Sequence, residues 1–237
     1  MAAAPFKNTL LQHLPSDVIQ RLDLREVKLE VGREIEFPGS SIDHLFFIEQ
    51  GIGSMTTTFK DGSQVEVSMF GYESVIGVSA LMGTKRSLNR IYMQLAGHGF
   101  SSRIELAKAE FNLCADFHHL ALRYVQAQLT QATQSAGCNR KHDVEQRLAR
   151  WLLICVDRAN ARTFPMSQEF IADMLGVTRS SVSVVAGQLK EQGLIEYSRG
   201  ILHVPEPHAL EKKACECYQI VKQHLDNYAE FDTGFVV

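Results

Sequence analysis

Long apolar runs are missing from this 237-residue chain: the longest, such as Trp151 to Val156, stop after a few residues, far short of the roughly 20 needed to span a bilayer. Missing too is a basic stretch leading into an apolar one at the N-terminus, which reads Met-Ala-Ala-Ala-Pro-Phe-Lys. Nothing there marks the chain for export or a membrane, so a cytoplasmic protein is expected. Cysteine is scarce. Cys114, Cys138, Cys155, Cys215 and Cys217 are too few and too scattered for a disulfide framework, and an odd count fits free thiols in a reducing compartment. No charge of one sign dominates: 24 Lys and Arg against 27 Asp and Glu leave −3 and a pI near 6.3, which gives no global reason to expect nucleic acid. Nucleophile–base, Walker-loop and zinc-protease motifs are absent, so no enzyme is expected. Repeats and low-complexity tracts are absent as well, apart from the alanines at positions 2 to 4.

What is present is a change of texture along the chain, which at this length suits two modest domains. Two short helices, Asn8 to His13 and Ser16 to Leu22, open it, with Ser16 read as an N-cap. From Val27 to about Arg103, short runs of Val, Ile, Phe and Thr alternate with turn residues. Leu45 to Glu49, Ser54 to Phe59 and Gln64 to Met69 read as strands, and Asp61-Gly62 as a type I′ hairpin turn. Together they predict a small antiparallel barrel or sandwich. Beyond Arg103 apolar residues recur at helical spacing in two stripes. One is Leu122, Val125, Leu129, Ala132 and Ala136; the other is Leu113, Phe117, Leu120 and Tyr124. A helix with two apolar faces must bury both, so the first stripe is assigned to a second subunit and the second to the barrel. Gly137 to Lys141 reads as a hinge, Val144 to Arg158 as a further helix, and the tail from Pro207 as helix again.

Residues 140 to 204 are the one segment with excess positive charge, nine basic against seven acidic residues. Within it, Ile171, Met174 and Leu175 give one helix an apolar face, Ala172 permits a close crossing, and Gly176 supplies a turn. Thr178 caps a second helix that buries Val182, Val185 and Leu189. Arg179, Ser180, Ser183 and Val184 are left on its outer face, where a recognition helix meets base edges. Ser167 and Gln168, at the start of the first helix, suit phosphate. Gln192 to Val204 follows as a β-hairpin that presents Ser198 and Arg199 to the DNA backbone. An arginine in the first turn can donate two hydrogen bonds to guanine, while the serines suit phosphate or permissive base contacts.

With those residues in place, the sequence resembles the bacterial transcription regulators of the Crp/Fnr superfamily over essentially its whole length. The resemblance implies an α+β chain in four parts. These are an N-terminal antiparallel β-roll of the cupin-like jelly-roll kind that binds an effector (residues 1–105), a long dimerisation helix (106–138), a winged helix-turn-helix (139–204) and a C-terminal helical extension (205–237). It implies a homodimer on double-stranded DNA with a near-palindromic operator, and RNA polymerase as a further partner. Ala214-Cys-Glu-Cys-Tyr218 is similar to a branch of the same family.

In cyclic-nucleotide-binding relatives the segment matching Val75 to Leu88 holds a phosphate through an Arg-Ser pair and a ribose hydroxyl through a Glu. The resemblance places Arg86 and Ser87 at the phosphate, Val78 at the Glu position after Gly77, and Thr130 and Thr133 on the long helix beside the effector. Valine accepts no hydrogen bond, which disfavours cyclic AMP by roughly 1 to 3 kcal/mol and leaves another small anionic or nucleotide molecule as the effector. The base-reading pattern departs from the family as well, with Ser180 and Val184 where relatives carry Glu and Arg. No cofactor is assigned. An iron–sulfur cluster is not expected because its N-terminal cysteines are missing, nor a heme or metal, because His44, His98, His118, His119 and His142 form no ligand pattern. Cys215 and Cys217, two apart on a helix, would point to different faces, one thiol buried and one exposed. The rival reading is a nucleotide- or anion-responsive regulatory subunit that acts through a protein partner.

Overall fold

The computed structural model describes residues 6–233 and side chains as far as Glu230; the alanines at 2 to 4 lie outside it. Two short helices, α1 (Thr9–Gln12) and α2 (Ser16–Arg21), precede six strands: β1 (Arg25–Leu29), β2 (Glu34–Glu36), β3 (His44–Thr58), β4 (Gln64–Phe70), β5 (Val75–Ile76) and β6 (Arg90–Arg103). Helices α3 (Ile104–Phe111) and α4 (Asp116–Lys141) follow. Then come α5 (Val144–Ala159), β7 (Thr163–Pro165), α6 (Gln168–Leu175), α7 (Arg179–Glu191), β8 (Glu196–Ser198), β9 (Ile201–His203), α8 (Pro207–Glu211) and α9 (Cys217–Asn227). The chain forms two compact units. One comprises the residues up to Met55, Met69–Thr130 and those from Gln223 on; the other comprises Thr56–Ser68 and Gln131–Lys222.

The antiparallel sheet is ordered β1-β6-β3-β4, with β2 on β6 and β5 on β3; all of it except Thr56–Ser68, from the β3–β4 hairpin, belongs to the first unit. Leu29, Ile48, Phe70, Ile76, Ile91 and Met93 form a core there. The expected break at Gly51 does not occur. β3 runs 15 residues through it because β6 crosses so closely that a Cβ on Gly51 would stand 2.8 Å from the Leu95 carbonyl oxygen. Asp61-Gly62 is not a type I′ turn either: Gly62 has a positive φ and Asp61 does not, and the Asp61 carboxylate instead accepts from the Ser63 amide at 3.0 Å. Pro15, not Ser16, occupies the cap position of α2, and no side chain caps it.

In the second unit α5 starts at a capping box in which Asp143 and Gln146 satisfy each other's backbone amides. Residues 137 to 141 are not a hinge, since α4 is helical as far as Lys141; a lone glycine costs a helix only about 1 kcal/mol, and the Cys138 side chain is buried. A third strand, β7, joins β8 and β9 in the order β7-β9-β8, burying Phe164. The tail is not one helix. It breaks between α8 and α9, which places Cys215 in the connection.

Candidate nucleic-acid interface and effector cavity

The second unit builds a helix-turn-helix from local signals. Ser167 caps α6 by accepting from the Phe170 amide at 3.0 Å, Gly176 ends that helix at φ +62°, and the Thr178 hydroxyl accepts from the Ser181 amide at 3.2 Å to open α7. Ile171, Ala172, Met174 and Leu175 are buried from α6, and Val182, Ala186 and Leu189 from α7; Val185 is only half-buried. The opposite face of α7 is in solvent, with Arg179, Ser180 and Ser183 exposed and Val184 62% exposed. Arg179 stands 3.7 Å from Glu169 with its side chain 68% exposed. So loose a surface pair is worth at most about 1 kcal/mol, and a phosphate or a guanine edge can displace it.

The wing turns at Arg199-Gly200, whose φ values of +50° and +77° are those of a type I′ hairpin. Ser198 belongs to β8. Both Ser198 and Arg199 are exposed, and the left-handed conformation holds Arg199 at the tip. The Tyr197 hydroxyl donates to the Met166 carbonyl at 2.8 Å, fixing the wing to the entry of α6. Gln168 is half-buried beside it.

The expected effector site lies in the first unit. A cavity of about 140 Å³ is lined by Glu36, Ile76, Gly77, Val78, Met82 and Gln128, among others, smaller than the roughly 300 Å³ at which small-molecule sites begin. Gly77 adopts φ +99°, and a Cβ there would meet the His44 carbonyl oxygen at 2.7 Å, so only glycine fits. Val78 is buried in the wall. Neither half of the Arg-Ser pair lines the cavity. Arg86 is exposed and donates to the Gly39 carbonyl at 2.6 Å, while the buried Ser87 hydroxyl donates to the Glu36 carboxylate. Burial pushes the Glu36 carboxyl above its ordinary range, with the Ser87 hydrogen bond acting the other way. Thr130 donates back to the Gln126 carbonyl at 3.1 Å, and Thr133 is exposed on the same helix.

The family model of the Crp-like helix-turn-helix domain matches residues 146–213. The global nitrogen regulator of Synechococcus elongatus is 25% identical over 203 residues, covering 81% of this chain and 91% of that protein. Among solved structures, FixK2 from Bradyrhizobium japonicum superimposes with a TM-score of 0.69 at 17% identity, over 81% of this chain and 98% of that one. A Crp/Fnr-family regulator from Eubacterium rectale gives 0.68 at 16% identity, over 87% and 97%. Residues 146–213 thus carry a Crp-like DNA-binding domain, and the chain is similar over most of its length to transcription regulators of the Crp/Fnr type. Regulators of this type bind DNA and act as dimers. Among the described residues no helix is long and apolar enough to cross a membrane.

The two apolar stripes have different fates. Phe117, Leu120 and Tyr124 are buried on α4, whereas Leu113 is exposed in the turn between α3 and α4, which interrupts the helix expected over 106–138. Of the seam assigned to a second subunit, Leu122 is 43% and Leu129 is 56% exposed, Val125 and Ala132 are half-buried, and Ala136 is exposed. Four side chains that the sequence reading set aside come together elsewhere. Cys138, His142, Cys215 and Cys217 place their ligand atoms within 4.8 Å of one another. The expectation of one buried and one exposed thiol is overturned, since Cys215 is 4% and Cys217 1% exposed. The helical i, i+2 rule does not apply, because Cys215 precedes α9 and only Cys217 is on it. The hydrogen bond between Cys215 and Cys138 holds the Cys138 thiol below its ordinary range and pushes Cys215 up. The signal available in the sequence was Cys138-x-x-x-His142, one helical turn apart on one face.

Proposed function

We propose that the chain works in the bacterial cytoplasm as a homodimer that reads a near-palindromic operator with one α7 helix per half-site and acts on RNA polymerase. The observation that carries this is the outer face of α7: Arg179, Ser180 and Ser183 in solvent at the N-terminal end of a helix whose other face is buried. Arg179 reads guanine, Ser180 and Ser183 contact base edges or phosphate, and Ser167, Gln168, Thr178, Ser198 and Arg199 hold the backbone. The seam Leu122, Val125, Leu129, Ala132 and Ala136, exposed or half-buried throughout, supports α4 as the dimer contact. A dimer of this kind sets half-sites about one helical turn apart.

The first unit supplies control. Its effector is a small molecule other than cyclic AMP, because Val78 offers no acceptor and Ser87 is engaged by Glu36. An anionic effector enters together with a proton on Glu36, since a charged carboxylate in the wall repels it. A salt titration on duplex DNA tests the core of this reading: affinity should fall steeply with salt, in proportion to the phosphates neutralised. Binding that ignores salt, or the absence of binding, supports instead a regulatory subunit docking on a protein.

A further inference from the structure

The two ends of the winged-helix segment bring metal-ligating side chains to one point, outside the DNA-facing surface. Cys138 and His142 are one turn apart near the end of α4, and Cys215 and Cys217 flank the start of α9. The Cys138 and Cys215 sulfurs are 3.5 Å apart, and the Cys217 sulfur is 3.6 Å from His142 Nδ1. A tetrahedral ion with metal–sulfur bonds of about 2.3 Å and a metal–nitrogen bond of about 2.0 Å has ligand–ligand edges of about 3.5 to 3.8 Å. We propose that Cys138, His142, Cys215 and Cys217 bind one divalent ion of the zinc class through three thiolates and an imidazole.

The surroundings fit that role. His142 turns Nδ1 toward the sulfurs while its Nε2 lies 3.2 Å from the Glu216 carboxylate, the arrangement in which an outer carboxylate fixes the tautomer of a metal-bound imidazole. Gln134 Nε2 donates to the Cys217 sulfur at 3.0 Å, a bond that steadies a thiolate. Binding releases three thiol protons and leaves a net charge of −1, which needs a cation nearby in a buried site. Arg147 and Arg150 supply it. Both are buried and within electrostatic reach of Cys138, and their Nε atoms have no hydrogen-bond partner. A four-iron cube puts each ligand on a different iron and needs donors spread farther apart, so four atoms within 4.8 Å select a single ion. By joining residue 138 to residue 217, the ion staples α5 through β9 at both ends, as structural zinc does for small domains.

The test uses the full-length protein, reduced and stripped with a chelator, then titrated with Co²⁺. The expected result is one ion per chain, with the strong visible bands of tetrahedral cobalt and a near-ultraviolet thiolate charge-transfer band, both bleached by Zn²⁺. C138S and C217S should each weaken the ion by more than about 100-fold, and E216Q by about 10- to 100-fold; C114S, at an exposed thiol outside the cluster, should change nothing. The wild-type titration stands even if a variant fails to fold. A weak octahedral spectrum, binding that persists in C138S and C217S, or a Cys138–Cys215 disulfide in protein purified with zinc present would overturn the proposal.

Discussion

The outer face of α7 and the wall of the β-roll cavity both carry polar side chains, and they differ in what those groups do in the single chain. On α7 the groups are in solvent, and the ion pair of Arg179 with Glu169 is loose. In the cavity wall the Glu36 carboxylate is committed, accepting from the buried Ser87 behind it, while Arg86, outside the lining, is turned to a backbone carbonyl. The first arrangement costs little to open toward a ligand, because exposed pairs exchange readily with water. The second must break a buried hydrogen bond first, at about 1 to 3 kcal/mol for each group left unpaired. The proposed DNA surface is therefore ready as folded, while the proposed effector site requires a rearrangement or a molecule that takes over Glu36.

The contrast breaks most completely if the DNA surface does not need two copies. Replacing Val125 and Leu129 with Glu should give monomers by sedimentation and lower operator affinity by about 100- to 10,000-fold, the advantage that linking two half-site contacts supplies. Dimers that survive the double substitution would move the interface off α4. Next in size, Arg179→Ala should cost about 1 to 3 kcal/mol and relax the preference at one base per half-site; a uniform loss with preference intact makes Arg179 a phosphate contact and leaves readout to Ser180, Ser183 or DNA shape.

A smaller effect is expected at the wing, where Arg199→Ala should weaken all sequences alike and lower the salt slope by about one per subunit. The smallest is in the cavity. Because the folded-state pKa of Glu36 is raised, its stability contribution is fully present below the ordinary carboxylate range and is lost as pH rises through the folded value. Glu36→Gln should therefore raise the melting temperature at pH 7 by about 2 to 4 °C, the shift that about 1 kcal/mol produces in a chain of this size. Melting curves should converge as pH falls below 4 or so. A variant less stable than wild type at both ends would make Glu36 a structural acceptor for Ser87 and nothing more.

What could be read in the sequence was whatever has a short period. The cap Thr178, the apolar faces of α6 and α7 and the wing all follow from residues within one or two turns of each other. The breaks were less legible. Gly51 looked like a strand end, and only the crossing of β6 explains why a glycine sits in mid-strand. Gly137 looked like a hinge, yet helix persists on both sides. β7 escaped notice because three residues ending in Pro165 carry no alternation, and its partner β9 lies far along the chain. The cysteine and histidine cluster was least legible, since Cys138 and Cys215 are 77 residues apart and no local pattern links them. The cavity was half legible: Val78 was visible as the wrong residue for a ribose, but the bond from Ser87 to Glu36 spans 51 residues and had no sequence signal.

The most direct test of the central claim is selection of bound duplexes from a random DNA pool by the full-length protein at moderate salt. The expected result is enrichment of a near-palindrome whose half-sites are centred about 10 to 10.5 base pairs apart, with a guanine in each half-site whose enrichment disappears for Arg179→Ala. Enrichment of a single asymmetric half-site, or of no sequence at all, would contradict it.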